Sequence, residues 1–426
     1  MRNRAGAYIL ALLVGINFLN YVDRYLPAAA APAIQAEFHL NDFQIGLLGT
    51  AFLLVYALAM VPIGFWADRG LRKVVIGTGV AIWSVATLFT GLSRSFLQLA
   101  ITRGVLGIGE ASYFPAGTSL LGDLWPKRLR ARVIAFRDAG ATVGIAAGYV
   151  GGGVVAQLYG WRSAFFFTAV PGLFLALLVL TMREPLRGQS EESGPRLEHA
   201  TDASLQAFKR LWTTIPTLRA TILSQTLLFW VLGSISTFIP LLVHRRFGLG
   251  VAASGTVGGG VLIAGGLVGT FLGGWLGDWR ARRSARGHLQ VGIAGFVLGA
   301  VFVALAALAP SLGLFVVFGL LGAVSLYLYS APFTALAQNI VVPSMRASAV
   351  TLTLLVGHLF GDSWSPSALG ALSDALHSLP LAIAVTCPLV LLGAAAVGAI
   401  GFGTAQQDTE AMEEAWARRP PEPALA

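Results

Sequence analysis

Gly64-Phe65-Trp66-Ala67-Asp68-Arg69-Gly70-Leu71-Arg72-Lys73 is echoed 210 positions later by Gly274-Trp275-Leu276-Gly277-Asp278-Trp279-Arg280-Ala281-Arg282-Arg283. Each copy stands where one glycine-rich apolar run stops and another begins. Each therefore reads as a short charged hairpin between two membrane-length helices, at matching places in two halves of a duplicated chain. Duplicated helical bundles of this kind place a site at the interface of their repeats.

Working outward, the chain is 56% hydrophobic and 12% charged over 426 residues, with a mean hydropathy of +0.73. Soluble domains carry roughly 25% charge, so most of this chain lies in lipid. Because a helix needs about 20 mostly apolar residues to cross the hydrocarbon, spans are expected at 7–30, 44–67, 74–93, 96–120, 132–158 and 163–182. Six more follow at 216–243, 251–277, 288–309, 312–338, 347–371 and 379–403. The fold expected is all-α integral membrane, with twelve transmembrane helices in two pseudo-symmetric six-helix bundles. The division expected is a first bundle at 1–185, a linker at 186–212, a second bundle at 213–403 and a tail at 404–426.

Lys and Arg accumulate on the cytoplasmic side of short loops. With both termini inside, sixteen of the 29 basic residues fall on the cytoplasmic side and four (Arg94, Arg162, Arg245 and Arg246) on the other. This split favours an even number of spans and gives the net charge of +9 a topological explanation, so nucleic acid is set aside as a partner. The first apolar run is kept as a helix and not read as a leader, since Asp23 and Arg24 interrupt it before Ala28-Ala29-Ala30. The single cysteine, Cys387, excludes an internal disulfide.

Two glycine stripes recur every four residues: Gly140, Gly144, Gly148 and Gly152, and then Gly265, Gly269, Gly273 and Gly277. Such stripes let helix backbones approach closely in lipid. Static packing and sliding between the halves both remain open. In the hairpins, Gly64, Asp68, Arg69 and Arg72, with Asp278 and Arg282, make a candidate cytoplasmic gate. An aspartate at a helix C-terminal end is disfavoured by the macrodipole and needs a cation or a neighbouring helix start.

Ionisable residues inside the bilayer are costly and mark function by default. Asp23 and Arg24 lie in the first span, and Arg103 and Glu110 in the fourth. Adjacent helical residues do not face each other, and seven residues separate Arg103 from Glu110 by about 10.5 Å of rise. The economical pairing crosses the helices, Arg24 with Glu110 and Asp23 toward Arg103. A carboxylate beside an arginine and the same group in an apolar cavity hold protons differently, so Asp23 and Glu110 are candidate proton-coupling groups. In the eleventh span, His358 and Asp362 share a face at i,i+4 spacing. Gln225, Gln338 and Asn339 are weaker polar candidates.

These residues resemble the major facilitator superfamily, and within it the Spinster-like branch. The superfamily resemblance rests on twelve spans and the paired Gly-to-Asp-Arg hairpins. The branch resemblance rests on Asn20-Tyr21-Val22-Asp23-Arg24-Tyr25, on Thr102-Arg103-Gly104 through Gly109-Glu110-Ala111-Ser112-Tyr113, and on Arg183-Glu184-Pro185. His358, Gly361-Asp362, Ser365-Pro366 and Ser373-Asp374 complete it. The resemblance implies alternating access, proton linkage and a lipid-like amphiphile of the sphingoid or lysophospholipid type as substrate. It implies coupling or substrate recognition at Asp23, Arg24, Arg103 and Glu110, with Tyr25 and Tyr113 beside them. One departure is Gly148-Tyr149, where drug–proton antiporters of the superfamily carry Gly-Pro, and this puts antiport in doubt.

The expectation is thus a secondary transporter in the cell membrane, multi-pass, with both termini cytoplasmic, acting as a monomer on an amphiphile and protons. No cofactor, metal or enzymatic motif is expected. Rival readings are a proton-linked multidrug or small-solute exporter and a non-transporting membrane receptor.

Overall fold

The computed structural model describes residues 2–186, 205–342 and 345–417, without the side chains of 2–5, 68, 127–128, 131, 205, 347 and 416–417. Among these residues the chain is helical throughout. The first stretch gives α1 (Arg2–Phe38), α2 (Asp42–Arg69), α3 (Arg72–Leu92), α4 (Phe96–Glu110), α5 (Tyr113–Leu124), α6 (Lys127–Ala146), α7 (Gly152–Tyr159) and α8 (Trp161–Thr181). The second gives α9 (Leu205–Thr214), α10 (Pro216–Phe247), α11 (Val251–Ala281), α12 (Gly287–Ala307), α13 (Leu312–Tyr327) and α14 (Ser330–Asn339). Then come α15 (Arg346–Val356), α16 (Ser365–Leu376), α17 (Leu379–Ile400) and α18 (Ala405–Ala417).

Among the described residues ten helices, some counted across short breaks, are long and apolar enough to cross a membrane. The other two expected spans, the fourth and the eleventh, are each divided by an interruption and fall short as continuous helices. The interruptions have local causes. A proline removes the hydrogen bond to the carbonyl four residues earlier. Pro115 faces Ala111 in this way and Pro332 faces Leu328, and α4 gives way to α5, and α13 to α14, at those positions. The fifth and eleventh spans carry π-turns, at Ala147–Gly151 and Gly357–Asp362. Breaks therefore fall at matching places in the two halves of the sequence.

The chain forms two compact units. Unit one comprises Met1–Pro195, Leu232–Ile263 and Asp362–Ala382, and unit two Arg196–Val231, Ala264–Gly361 and Ile383–Ala426. In unit one, α3 packs between α4 and α8, and α1 runs along α6 and α8. Its buried core includes Ile16, Val80, Trp83, Leu106 and Leu120.

Both glycine stripes pack within a unit. A Cβ on Gly140, Gly144 or Gly148 would press on the α1 backbone at Val14, Phe18 and Val22. In unit two, Gly269 and Gly273 sit against the Val324 and Leu328 carbonyls. Small residues here admit close backbone contact, which is the packing alternative. Arg72, one of the hairpin residues, is placed differently from a surface loop cation. It is fully buried, with Nε donating to Glu184 at 3.0 Å and Nη1 to Ser119 at 3.0 Å and to Asp123. It braces the start of α3 against α5 and the end of α8. The Glu184 carboxyl is held below its ordinary range, because hydrogen bonds from Arg72 and Lys73 outweigh its partial burial.

Candidate functional site

The first half's buried charges converge in unit one. Asp23 and Arg24 project from α1 and Arg103 and Glu110 from α4, and Asp23, Arg103 and Glu110 are 1–3% exposed. Arg24 Nη2 donates to Glu110 Oε2 at 3.1 Å. Asp23 meets Arg103 differently from expectation. Arg103 Nη1 donates to the Asp23 backbone carbonyl at 3.3 Å, not to the carboxylate. Among the described residues both Asp23 carboxylate oxygens and Glu110 Oε1 are buried without a hydrogen-bond partner. The hydroxyls of Thr87 and Thr168 stand beside Asp23, and Asn20 beside Glu110.

Aromatic rings enclose the cations. The Arg24 guanidinium lies 5.2 Å from the Tyr21 and Phe52 rings and 5.0 Å from Tyr56, and Arg103 lies 4.9 Å from Phe52. Ring faces attract a cation within about 6 Å, so the rings hold positive charge in place without neutralising it. With all four groups ionised the set is neutral, and each proton taken up by a carboxylate leaves one arginine charge uncompensated.

The other candidates fall elsewhere. Tyr25 stacks on Tyr21 and lies 5.1 Å from Tyr149, at the edge of the charge set. Tyr113 is a brace, its hydroxyl donating to the Leu13 carbonyl at 2.7 Å. His358, in unit two, lies 5.3 Å from the Phe229 ring. Asp362, in unit one, packs on Gly233. A π-turn at Gly357–Asp362 carries both. In the hairpins the Asp68 side chain lies outside the described residues. A Cβ on Gly64 would meet nothing within 4 Å. Arg69 lies over Phe65 at 6.0 Å, Asp278 is in electrostatic reach of His288, and Arg282 is exposed.

Sequence reasoning missed a second polar cluster in unit one. Asp374, at the end of α16, accepts from the backbone N–H groups of Asp42 and Phe43, both at 2.9 Å. The positive end of α2 thus holds a carboxylate. Asp42 accepts in turn from Arg245 Nη1 at 2.9 Å, Ser373 Oγ at 2.6 Å and Gln35 Nε2 at 3.0 Å. The backbones of α2 and α16 touch here, since a Cβ on Gly46 would overlap the Pro366 carbonyl oxygen and one on Gly370 the Asp42 carbonyl oxygen. Thr50 Oγ1 donates to Ser367 Oγ at 3.1 Å. Tyr149, fully buried, adds a hydrogen bond from its hydroxyl to the Ser236 carbonyl at 2.6 Å. The available signal was the Asn41–Gln44 capping box, which marks α2's start as a set of aimed N–H donors. Also missed was buried Arg137, whose Nη1 donates to Thr118 at 2.7 Å.

A family model described as Major Facilitator Superfamily matches residues 13–366. Protein spinster homolog 1 of Homo sapiens is 30% identical over 389 residues, covering 87% of this chain and 74% of the human protein. Sphingosine-1-phosphate transporter SPNS2 of Xenopus tropicalis is 27% identical over 391 residues, covering 88% of this chain and 75% of that protein. The crystal structure of a bacterial homolog to the human lysosomal transporter Spinster, inward-facing and unoccupied, superposes with a TM-score of 0.81. It is 27% identical in sequence, with 98% of this chain and 99% of that one covered.

Proposed function

The chain belongs to the Major Facilitator Superfamily and, within it, to the Spinster-like transporters, and from that premise we propose that it is a proton-linked, alternating-access carrier of a lipid-like amphiphile. The observation that carries this reading is the charge set of Asp23, Arg24, Arg103 and Glu110, two carboxylates and two arginines held together within a membrane-spanning bundle, where ionisable groups mark ion and substrate pathways by default. In the proposed cycle, Glu110 releases Arg24 when protonated, and Arg24 with Arg103 receives the anionic part of the substrate. Phe52, Tyr21 and Tyr56 hold the cations while their partner changes. Deprotonation restores the Arg24–Glu110 pair and expels the head group. The relative's sphingosine-1-phosphate, an anionic head on a long chain, has the chemistry this set would recognise.

With the basic loops on the cytoplasmic side, the Asp42–Arg245–Asp374 cluster is the outer gate and both termini are cytoplasmic. The protein works in the cell membrane as a monomer. The two charged hairpins, through Asp68 and Asp278, serve as the inner gate of the cycle. The test is flux in proteoliposomes of labelled sphingoid bases, sphingosine-1-phosphate and lysophospholipids, with and without an imposed pH gradient. Saturable flux of one class, driven by the gradient and uncoupled by Glu110→Gln, is expected. Flux indifferent to the gradient would make the carboxylates structural, and binding without flux would make the protein a receptor.

A further inference from the structure

We propose that a groove in unit two, walled by α9, α10 and the Val356–Phe360 turn, binds an anionic glycerophospholipid from the surrounding bilayer. The groove encloses about 640 Å³. Phe208 and Trp212 of α9, Leu223 of α10, and Val356 and Phe360 line it. Phe360 is 64% exposed and Leu223 40%, so the wall is open to lipid along its length. Its floor is set by backbone. Cβ atoms on Gly357 and Gly361 would come within 2.7 Å of the Phe229 ring and 2.5 Å of the Thr226 carbonyl oxygen. The helices already touch beneath the groove, and it cannot close by their moving together.

Charge selects the occupant. Helix α9 is amphipathic: Leu211 is 1% exposed and anchors its apolar face, while Lys209 and Arg210 point outward. Its ten residues, LQAFKRLWTT, include no acid. A helix with Lys and Arg on one face and Trp and Phe on the other lies in the plane of the head groups. Lys209 itself lines the groove and is exposed, the placement in which a lysine can cover an apolar wall with its stem and keep its ammonium among head groups. Arg219 adds a third cation, its Nη1 donating to the Trp212 carbonyl at 3.5 Å. A free anion would leave the apolar wall bare, and a zwitterionic lipid would leave the cations with a neutral partner. A phosphate with no compensating positive group, on two acyl chains, satisfies both. None of these residues belongs to the charge set of the proposed transport cycle, so this site stands whether or not the protein carries an amphiphile.

The test is lipid binding to the purified full-length protein in neutral detergent, followed by native mass spectrometry on titration with phosphatidylglycerol or phosphatidylcholine. Wild type is expected to retain phosphatidylglycerol preferentially. Lys209→Gln with Arg210→Gln should weaken that binding by about thirtyfold, from the surface attraction of two basic residues, and leave phosphatidylcholine binding unchanged. Leu223→Trp, filling the groove from its exposed wall, should displace the lipid with the cations intact. Equal retention of both lipids by wild type would overturn the proposal. So would phosphatidylglycerol binding that survives Leu223→Trp, since the phosphate would then rest on the surface of α9 alone. If the double variant does not fold, the Leu223→Trp result decides.

Discussion

Gly46→Ala asks directly whether the α2–α16 contact opens during the proposed cycle. A methyl group there would overlap the Pro366 carbonyl oxygen and approach its carbon to 2.5 Å and the Ser367 Cα to 2.8 Å. All three are backbone atoms, so no side chain can rotate away. Overpacking of this kind costs about 1–3 kcal/mol, and the cost falls only on the state in which the two helices touch. The equilibrium between touching and separated helices should shift by about 5- to 150-fold toward separation. Thr50, next along α2, reports this, being 3% exposed and hydrogen-bonded to Ser367. Cys387 is the single cysteine in the sequence, so Thr50→Cys in a Cys387→Ser background gives one labelling site. Its maleimide labelling rate should rise about fivefold or more with Gly46→Ala. Asp374→Asn should act in the same direction by weakening two charge-assisted hydrogen bonds to the start of α2, each worth roughly 1.5–3 kcal/mol. An unchanged rate refutes the reasoning. If the melting temperature also falls, α2 and α16 belong to the permanent fold. If it does not, the helices have absorbed the methyl group.

Three further outcomes are expected. Glu110→Gln should abolish pH-gradient-driven accumulation while preserving equilibrium exchange of the labelled amphiphile, and wild-type accumulation in that variant would remove Glu110 from coupling. Arg24→Ala leaves Glu110 buried and uncompensated and should destabilise the protein by about 3–5 kcal/mol, seen as a lowered melting temperature that a second change, Glu110→Ala, largely restores. Glu184 is held below its ordinary value of 4.5, so the stability it contributes is fully present above about pH 4.5 and is lost as pH falls through the lower folded-state value. Glu184→Gln should flatten that acid limb in amide exchange at the start of α3, and an unchanged limb would show that other carboxylates set it.

The membrane class, the duplicated hairpins and the Arg24–Glu110 pairing were legible in the sequence because each follows from a local rule: run length, repeated spacing, and the cost of a charge in lipid. Arg72 has partners that were not legible in the hairpin motif itself. Its burial depends on Asp123 and Glu184, 51 and 112 residues away. Asp42 and Asp374, 332 residues apart, carry no periodic signal, and Ser373-Asp374 entered only as part of a family resemblance. His358 and Asp362 were placed on one face by α-helical spacing, and the π-turn at Gly357–Asp362 that carries both leaves no periodic mark in the sequence.

The interruptions at Ala111 and Leu328, and the π-turns at 147–151 and 357–362, bear on how such a protein diversifies. Around them the side chains of the two halves have drifted apart: one half keeps Glu110 and Arg103, the other Tyr329 and Ser325 near its break. The breaks themselves recur in both halves. They supply mechanical compliance, which belongs to the main chain, while cargo preference is written in side chains. The two properties mutate separately, so a lineage can retune what its halves grip without relearning how they bend. Pro115 and Pro332 are therefore positions where a change to alanine should stiffen the span for any cargo.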